Sequence, residues 1–123
     1  MMNTQITVLV VDDEKGIRDF LNAALVDCGY NVITARNGAE GMSALTAGKI
    51  DIVLTDIVMP EADGFAVLKK ALTVDPLIKV IMMSGDLTAE NYARSFNEGA
   101  FDFIGKPFGA EVIIRKVNQA LMK

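Results

Sequence analysis

The strongest constraint on this chain is the recurrence of five short apolar runs: Ile6 to Val11, Asn31 to Ala35, Ile52 to Thr55, Lys79 to Met83 and Phe101 to Ile104. Their length and β-branched content mark them as strands. Near-continuous apolar strands are buried on both faces, and every gap between them has room for one helix. That pattern predicts repeated βα units around a parallel sheet. The gaps carry the helical half of it. Ile17, Phe20, Leu21, Ala24, Leu25 and Cys28 repeat at the spacing of one helical face, and Gly29 ends that helix. Asn37 and Glu40 stand like a capping box for a second helix running to Gly48, with Met42 and Leu45 inward. Asp63 is placed to cap a third helix over 64–73. Ala89, Tyr92, Ala93 and Phe96 predict the inward stripe of a fourth helix, and Ala110, Ile113, Ile114, Val117, Ala120 and Leu121 that of a fifth.

Alternating strands and helices build either a closed barrel or an open doubly wound sheet. A barrel needs eight units and upward of about 200 residues, and this chain has 123. The expected fold is therefore α/β, one domain over 1–123, with an open five-stranded parallel sheet in the order 2-1-3-4-5 and five helices. In that order the ligand crevice lies beyond the carboxyl ends of strands one and three, where the winding reverses.

Composition narrows the chemistry. With 51% apolar and 23% charged residues the chain is globular rather than disordered. Its one cysteine, Cys28, has no internal partner for a disulfide or a thiolate metal cluster, which fits a reducing compartment. It has no histidine. That removes imidazole metal sites, histidine-activated nucleophiles and a phosphohistidine carrier role. The net charge of −4 disfavours nucleic acid and anionic membrane surfaces as direct partners. No apolar run approaches the roughly 20 residues of a membrane-spanning helix, and Met1 to Gln5 lacks the basic start of a signal peptide, so a cytoplasmic location is expected.

Chemistry concentrates at the strand ends. Strand one runs into Asp12-Asp13-Glu14, strand three into Asp56, strand four into Ser84 and strand five into Lys106-Pro107. Each group alone has an ordinary reading: Asp12 or Asp13 as a helix cap, Asp56 and Ser84 as turn residues, Lys106 as a solvated lysine. None is needed to fill a core, yet the topology sends all of them to one crevice. Two carboxylates ~5 Å apart repel by about 3 kcal/mol at an effective dielectric near 20, so such a cluster calls for a cation. An all-oxygen donor set with few ligands favours Mg²⁺ over softer ions or Ca²⁺. A carboxylate can itself act as a nucleophile toward phosphorus, with metal and lysine stabilising the transferring oxygens. Asp56 is the central candidate.

Four segments carry a resemblance: Val10-Val11-Asp12-Asp13-Glu14; Thr55-Asp56-Ile57-Val58-Met59-Pro60 with Asp63-Gly64; Met83-Ser84-Gly85; and Gly99 through Phe108. Together, in order and spacing, they resemble the receiver domain of two-component response regulators over nearly the whole chain. The resemblance implies that Asp56 accepts a phosphoryl group from a sensor histidine kinase or a histidine phosphotransfer protein. It implies that Asp12, Asp13, Asp56 and the Val58 main-chain carbonyl hold Mg²⁺, that Ser84 receives a phosphoryl oxygen, and that Lys106 pairs with the phosphate. Ser84 and Phe103 would form the switch that alters the surface of helix four, strand five and helix five. That surface would bind an output partner or a second copy of the chain. The result is a signalling switch with self-phosphorylation and self-dephosphorylation chemistry rather than a metabolic enzyme. A cis peptide is expected at Lys106-Pro107.

Two positions depart from the commonest receiver pattern: Gly85 stands where Ala is frequent after the switch hydroxyl, and Phe103 where Tyr is frequent. The Gly-Ala-Phe-Asp-Phe stretch at 99–103 is most similar to receivers attached to enhancer-binding transcription activators. Three competing readings are distinguishable. A haloacid-dehalogenase-type phosphatase needs a second acid two residues after its nucleophile, where this chain has Val58. A flavodoxin-like cofactor binder would want a glycine- or hydroxyl-rich phosphate loop after strand one, where this chain has three acids. A phosphorylation-independent interaction module would need none of the pocket groups that are present.

Overall fold

In a computed structural model, which describes residues 5–122, the chain forms β1 (Thr7–Val11), α1 (Lys15–Asp27), β2 (Asn31–Ala35), α2 (Gly38–Ala47) and β3 (Ile52–Asp56). It continues through α3 (Gly64–Val74), β4 (Lys79–Ser84), α4 (Ala89–Asn97), β5 (Asp102–Gly105) and α5 (Ala110–Leu121). All strands are parallel, in the order β2-β1-β3-β4-β5. This is the expected fold, with strand limits within one residue of those read from the apolar runs. Of the segment read as lacking a signal peptide, residues 1–4 lie outside the described residues. Among those described, no helix is long and apolar enough to cross a membrane.

The period-2 alternation of each strand sends its side chains into two separate cores. Leu9, Val11, Val53, Val80 and Met82 pack with Leu45 of α2 and with Phe65, Val67, Leu68 and Ala71 of α3. Val8, Val10, Ile52, Leu54, Ile81 and Met83 pack with Leu21 and Leu25 of α1 and with Ile113, Val117 and Ala120 of α5. The predicted caps form as read. The Asn37 side chain accepts from the Glu40 N–H at 2.8 Å, while the Glu40 carboxylate reaches back to the Arg36 N–H at 3.0 Å. Asp63 accepts from the Ala66 N–H at 3.0 Å.

The fourth helix corrects the sequence reading. Ala89, Tyr92, Ala93 and Phe96 do not face the sheet; they are exposed, and the residue that α4 buries is Ser95. The serine hydroxyl donates to the Asn91 carbonyl at 2.8 Å, so its polarity is satisfied within the helix and its small size lets α4 lie close to the sheet. The aromatic residues instead pack on one another: the Tyr92 ring stands edge-on to Phe96 at 5.0 Å and to Phe103 at 5.7 Å. In α1, Phe20 and Cys28 likewise fall outside the buried stripe, with Phe20 tilted against Phe108 at 6.4 Å.

The turn from β3 into α3 is one of the two tightest points of the framework, the other being the approach of Gly38 to Ala62. The Gly64 N–H donates to the Ile57 carbonyl at 2.8 Å, which folds the chain back onto the end of β3. A Cβ at Gly64 would collide with the Asp56 carbonyl oxygen and lie 2.9 Å from the Ile57 Cα. Both neighbours are backbone and cannot rotate away. Gly64→Ala is therefore expected to lower unfolding free energy by about 2 kcal/mol or more; a urea midpoint equal to that of the parent protein would contradict this packing.

Candidate functional site

β1, β3, β4 and β5 end side by side, and their terminal residues make the pocket. Asp12 follows the last residue of β1 and is fully buried. Its N–H continues the sheet pairing to the Ala35 carbonyl at 3.1 Å. Its Oδ1 accepts from the Glu14 N–H at 2.9 Å, and its Oδ2 receives the Lys106 Nζ at 2.8 Å. Asp56, the last residue of β3, is 7% exposed. Its Oδ1 accepts from the Ile57 N–H at 2.9 Å, leaving Oδ2 directed to Lys106 Nζ at 3.4 Å. Lys106 reaches in from the end of β5, where its N–H donates to the Ser84 carbonyl at 2.8 Å and the Lys106-Pro107 peptide is cis, as expected. Its ammonium also approaches Glu14 Oε1 at 3.5 Å.

Asp13 is exposed, yet carboxylate oxygens of Asp12, Asp13 and Asp56 all lie within 4.8 Å of one another. This cluster fits a hard divalent cation: its donors are all oxygen, and one of them opens to solvent, which leaves room for water or a phosphate oxygen. Ser84 ends β4 one residue beyond Met83, the partner of Asp56 across the sheet. Its Oγ accepts from the Asp86 N–H at 2.9 Å. Val58 lies in the loop after β3 with its side chain in solvent. Phe103 is partly buried beside Tyr92, on β5 opposite Met82.

The electrostatics follow from this placement. Burial first, and then the neighbouring Asp12 charge, raise the Asp56 carboxyl, which ends at about 6. The Lys106 ammonium and the Ile57 N–H act in the opposite sense. For Lys106, burial disfavours the charged form, but the hydrogen bond to Asp12 and the charges of Asp12 and Asp56 outweigh it and raise its pKa. The ammonium is the internal counterion of the cluster.

Two supporting groups were not read from the sequence. Arg18 donates to the Asp12 main-chain carbonyl at 2.8 Å, and the Ile57 N–H is shared between Asp56 Oδ1 and the Met83 carbonyl. A signal for the first was available: helical side chains lean toward the N-terminus, so an arginine in the first turn of α1 reaches back over the end of β1.

An open 2-1-3-4-5 sheet with an acid and lysine pocket at its winding reversal defines the class, a doubly wound α/β protein with its charged groups gathered at the strand ends. The particular family follows from comparison. The model of the response regulator receiver domain matches residues 8–118, and the chain belongs to that family. It is 37% identical, over 93% of its length, to the DNA-binding transcriptional regulator NtrC of Escherichia coli (strain K12), of which it covers 24%. A receiver domain protein (CheY-like) from Methanospirillum hungatei JF-1 superposes with a TM-score of 0.92 at 31% identity, covering 96% of this chain and 94% of that one. NtrX from Brucella abortus superposes with a TM-score of 0.89 at 33% identity, over 97% of this chain and 27% of that one. The chain spans about a quarter of the length of the curated relatives it matches.

The raised carboxyl of Asp56 makes stability depend on pH with a definite sign. Between pH 3.8 and about 6 the folded protein holds a proton on Asp56 that the unfolded chain has lost, so stability falls as pH rises through that window, and the cost is complete above it. Asp56→Asn removes the cost. In metal-free buffer it is expected to be more stable than the parent at pH 7.5, by up to about 3 kcal/mol at 1.36 kcal/mol per pH unit, with the gap closing toward pH 4. Urea unfolding at both pH values checks this; a gap independent of pH would contradict it.

Proposed function

We propose that this receiver domain is a Mg²⁺-dependent phosphoacceptor switch in which Asp56 takes a phosphoryl group from the phosphohistidine of a sensor kinase or phosphotransfer protein. The observation that carries the reading is the directed carboxylate: Asp56 Oδ1 is tied to a main-chain N–H while Oδ2 points into the pocket toward Lys106. With its pKa near 6, Asp56 is ionised at neutral pH and can act as a nucleophile. An Asp56 oxygen attacks phosphorus, the bond from phosphorus to the donor imidazole nitrogen breaks, and its electron pair leaves with that nitrogen, giving an acyl phosphate. Asp12, Asp13, Asp56 and the Val58 carbonyl would hold Mg²⁺, which when bound supplies positive charge against the phosphoryl oxygens. Lys106 supplies a second positive charge from the end of β5. Because Ser84 Oγ accepts from Asp86, its own O–H is available to donate to a phosphoryl oxygen.

The readout lies next to this site. As Ser84 moves toward the phosphoryl group it draws the loop before α4, and Phe103 turns into the space vacated. Phe103 already packs on the exposed ring of Tyr92, so its movement alters the face made by α4, β5 and α5. That face binds the output partner, or a second copy of the chain once Asp56 is phosphorylated. A direct nucleic-acid or membrane contact is no part of this reading, and the protein acts in the cytoplasm. The resemblance to NtrC-type regulators supports transcriptional output through a separate domain or protein.

Asp56→Asn is expected to abolish phosphoryl incorporation from acetyl phosphate in MgCl₂, read by intact mass; labelling equal to that of the parent would refute the assignment. Val58 sits two residues beyond Asp56 with an apolar side chain in solvent, where it gives an attacking water no hydrogen bond. Val58→Asn should shorten the lifetime of the phosphorylated state several-fold. An unchanged decay rate would remove this explanation.

A further inference from the structure

Arg18 makes a choice that its surroundings do not explain by charge. It lies in the first turn of α1, four residues after Glu14 and close behind Asp12 and Asp13, and an arginine so placed is expected to pair with one of these carboxylates. Among the described residues it forms no ion pair. Its guanidinium instead donates to the neutral main-chain carbonyl of Asp12 at 2.8 Å.

That carbonyl belongs to the peptide joining Asp12 to Asp13. A peptide unit is planar, so fixing the carbonyl of one residue fixes the N–H and Cα of the next. Every other polar group of Asp12 is already held: its N–H by Ala35 at 3.1 Å, Oδ1 by Glu14 at 2.9 Å and Oδ2 by Lys106 at 2.8 Å. Asp13 is different. It is exposed, yet its carboxylate reaches the cluster of Asp12 and Asp56. The bond from Arg18 is the contact that sets the plane from which Asp13 projects.

We propose that Arg18 is a positioning residue for the cation site: it clamps the Asp12-Asp13 peptide so that the exposed Asp13 carboxylate stays aimed at Asp56. The proposal rests on the Mg²⁺ reading of the acidic cluster. It differs in sign from a purely electrostatic role. A positive charge beside three carboxylates opposes a second cation, so if Arg18 acted through charge alone its removal would tighten metal binding. If it acts by clamping, removal weakens binding, as loss of an outer-shell partner does elsewhere.

The test is calorimetric titration of MgCl₂ into the purified protein, with a thermal melt confirming that each variant is folded. Arg18→Met is expected to weaken Mg²⁺ binding about tenfold, the lower end of the range for such partners. In an Asp13→Asn background the same substitution should have no further effect, because the residue through which Arg18 acts is already gone. Affinity that is unchanged or tighter in Arg18→Met, or weakening of equal size in both backgrounds, overturns the proposal. Should Arg18→Met fail to fold, Arg18→Lys keeps the charge and loses the planar fork; several-fold weaker binding supports the clamp and parental affinity overturns it. Absence of Mg²⁺ binding by the parent protein would instead overturn the reading of the cluster itself.

Discussion

Three carboxylates held within 4.8 Å of one another, two of them buried, form an arrangement that a folded chain tolerates only with compensation nearby. Asp12 and Asp56 each accept a main-chain N–H at one carboxylate oxygen and turn the other toward the same ammonium, Lys106 Nζ. One lysine cannot neutralise the cluster. The balance of charge is left open, and the raised pKa of Asp56 records the cost. On the proposed function, the same deficit is what receives a divalent cation and, with it, a phosphoryl group. Stability is given up at the strand ends in exchange for a site that an incoming charge completes.

The doubly wound sheet makes that arrangement possible. Its central strands β1, β3 and β4 are packed on both faces by two independent cores, so their ends are fixed without help from the pocket residues. The close turn at Gly64 presses α3 against the Asp56 main chain, and Lys106 and Ser84 are joined through their backbones. On the β4 and β5 side, α4 buries one small serine and leaves its aromatic residues on the surface against Phe103. A helix attached through so little buried area can shift at low cost, which suits the role proposed for it.

The sheet was legible because its central strands β1, β3 and β4 are buried on both faces and read as unbroken apolar runs. The edge strand β2, mostly exposed, showed itself by its β-branched residues. The acidic pocket was legible because Asp12, Asp13, Asp56, Ser84 and Lys106 stand directly after those runs, where topology alone brings them together. The inward face of α4 was not. Periodicity locates an apolar stripe but does not say whether it meets the sheet or a partner, and here Ser95, satisfied by its own helix, takes the inward place. Arg18 was passed over for a related reason: its role is a bond to a main-chain carbonyl, and such bonds leave no pattern in residue types. The Ile57 N–H that holds Asp56 Oδ1 is hidden in the same way.

The most direct test of this account is to locate the phosphoryl group chemically. After incubation with acetyl phosphate and MgCl₂, borohydride reduction converts an aspartyl phosphate to homoserine, and peptide mass spectrometry finds the position. The account predicts homoserine at position 56, with none when EDTA replaces the metal. Homoserine at 12 or 13 instead, or equal conversion at 56 in EDTA, would contradict it.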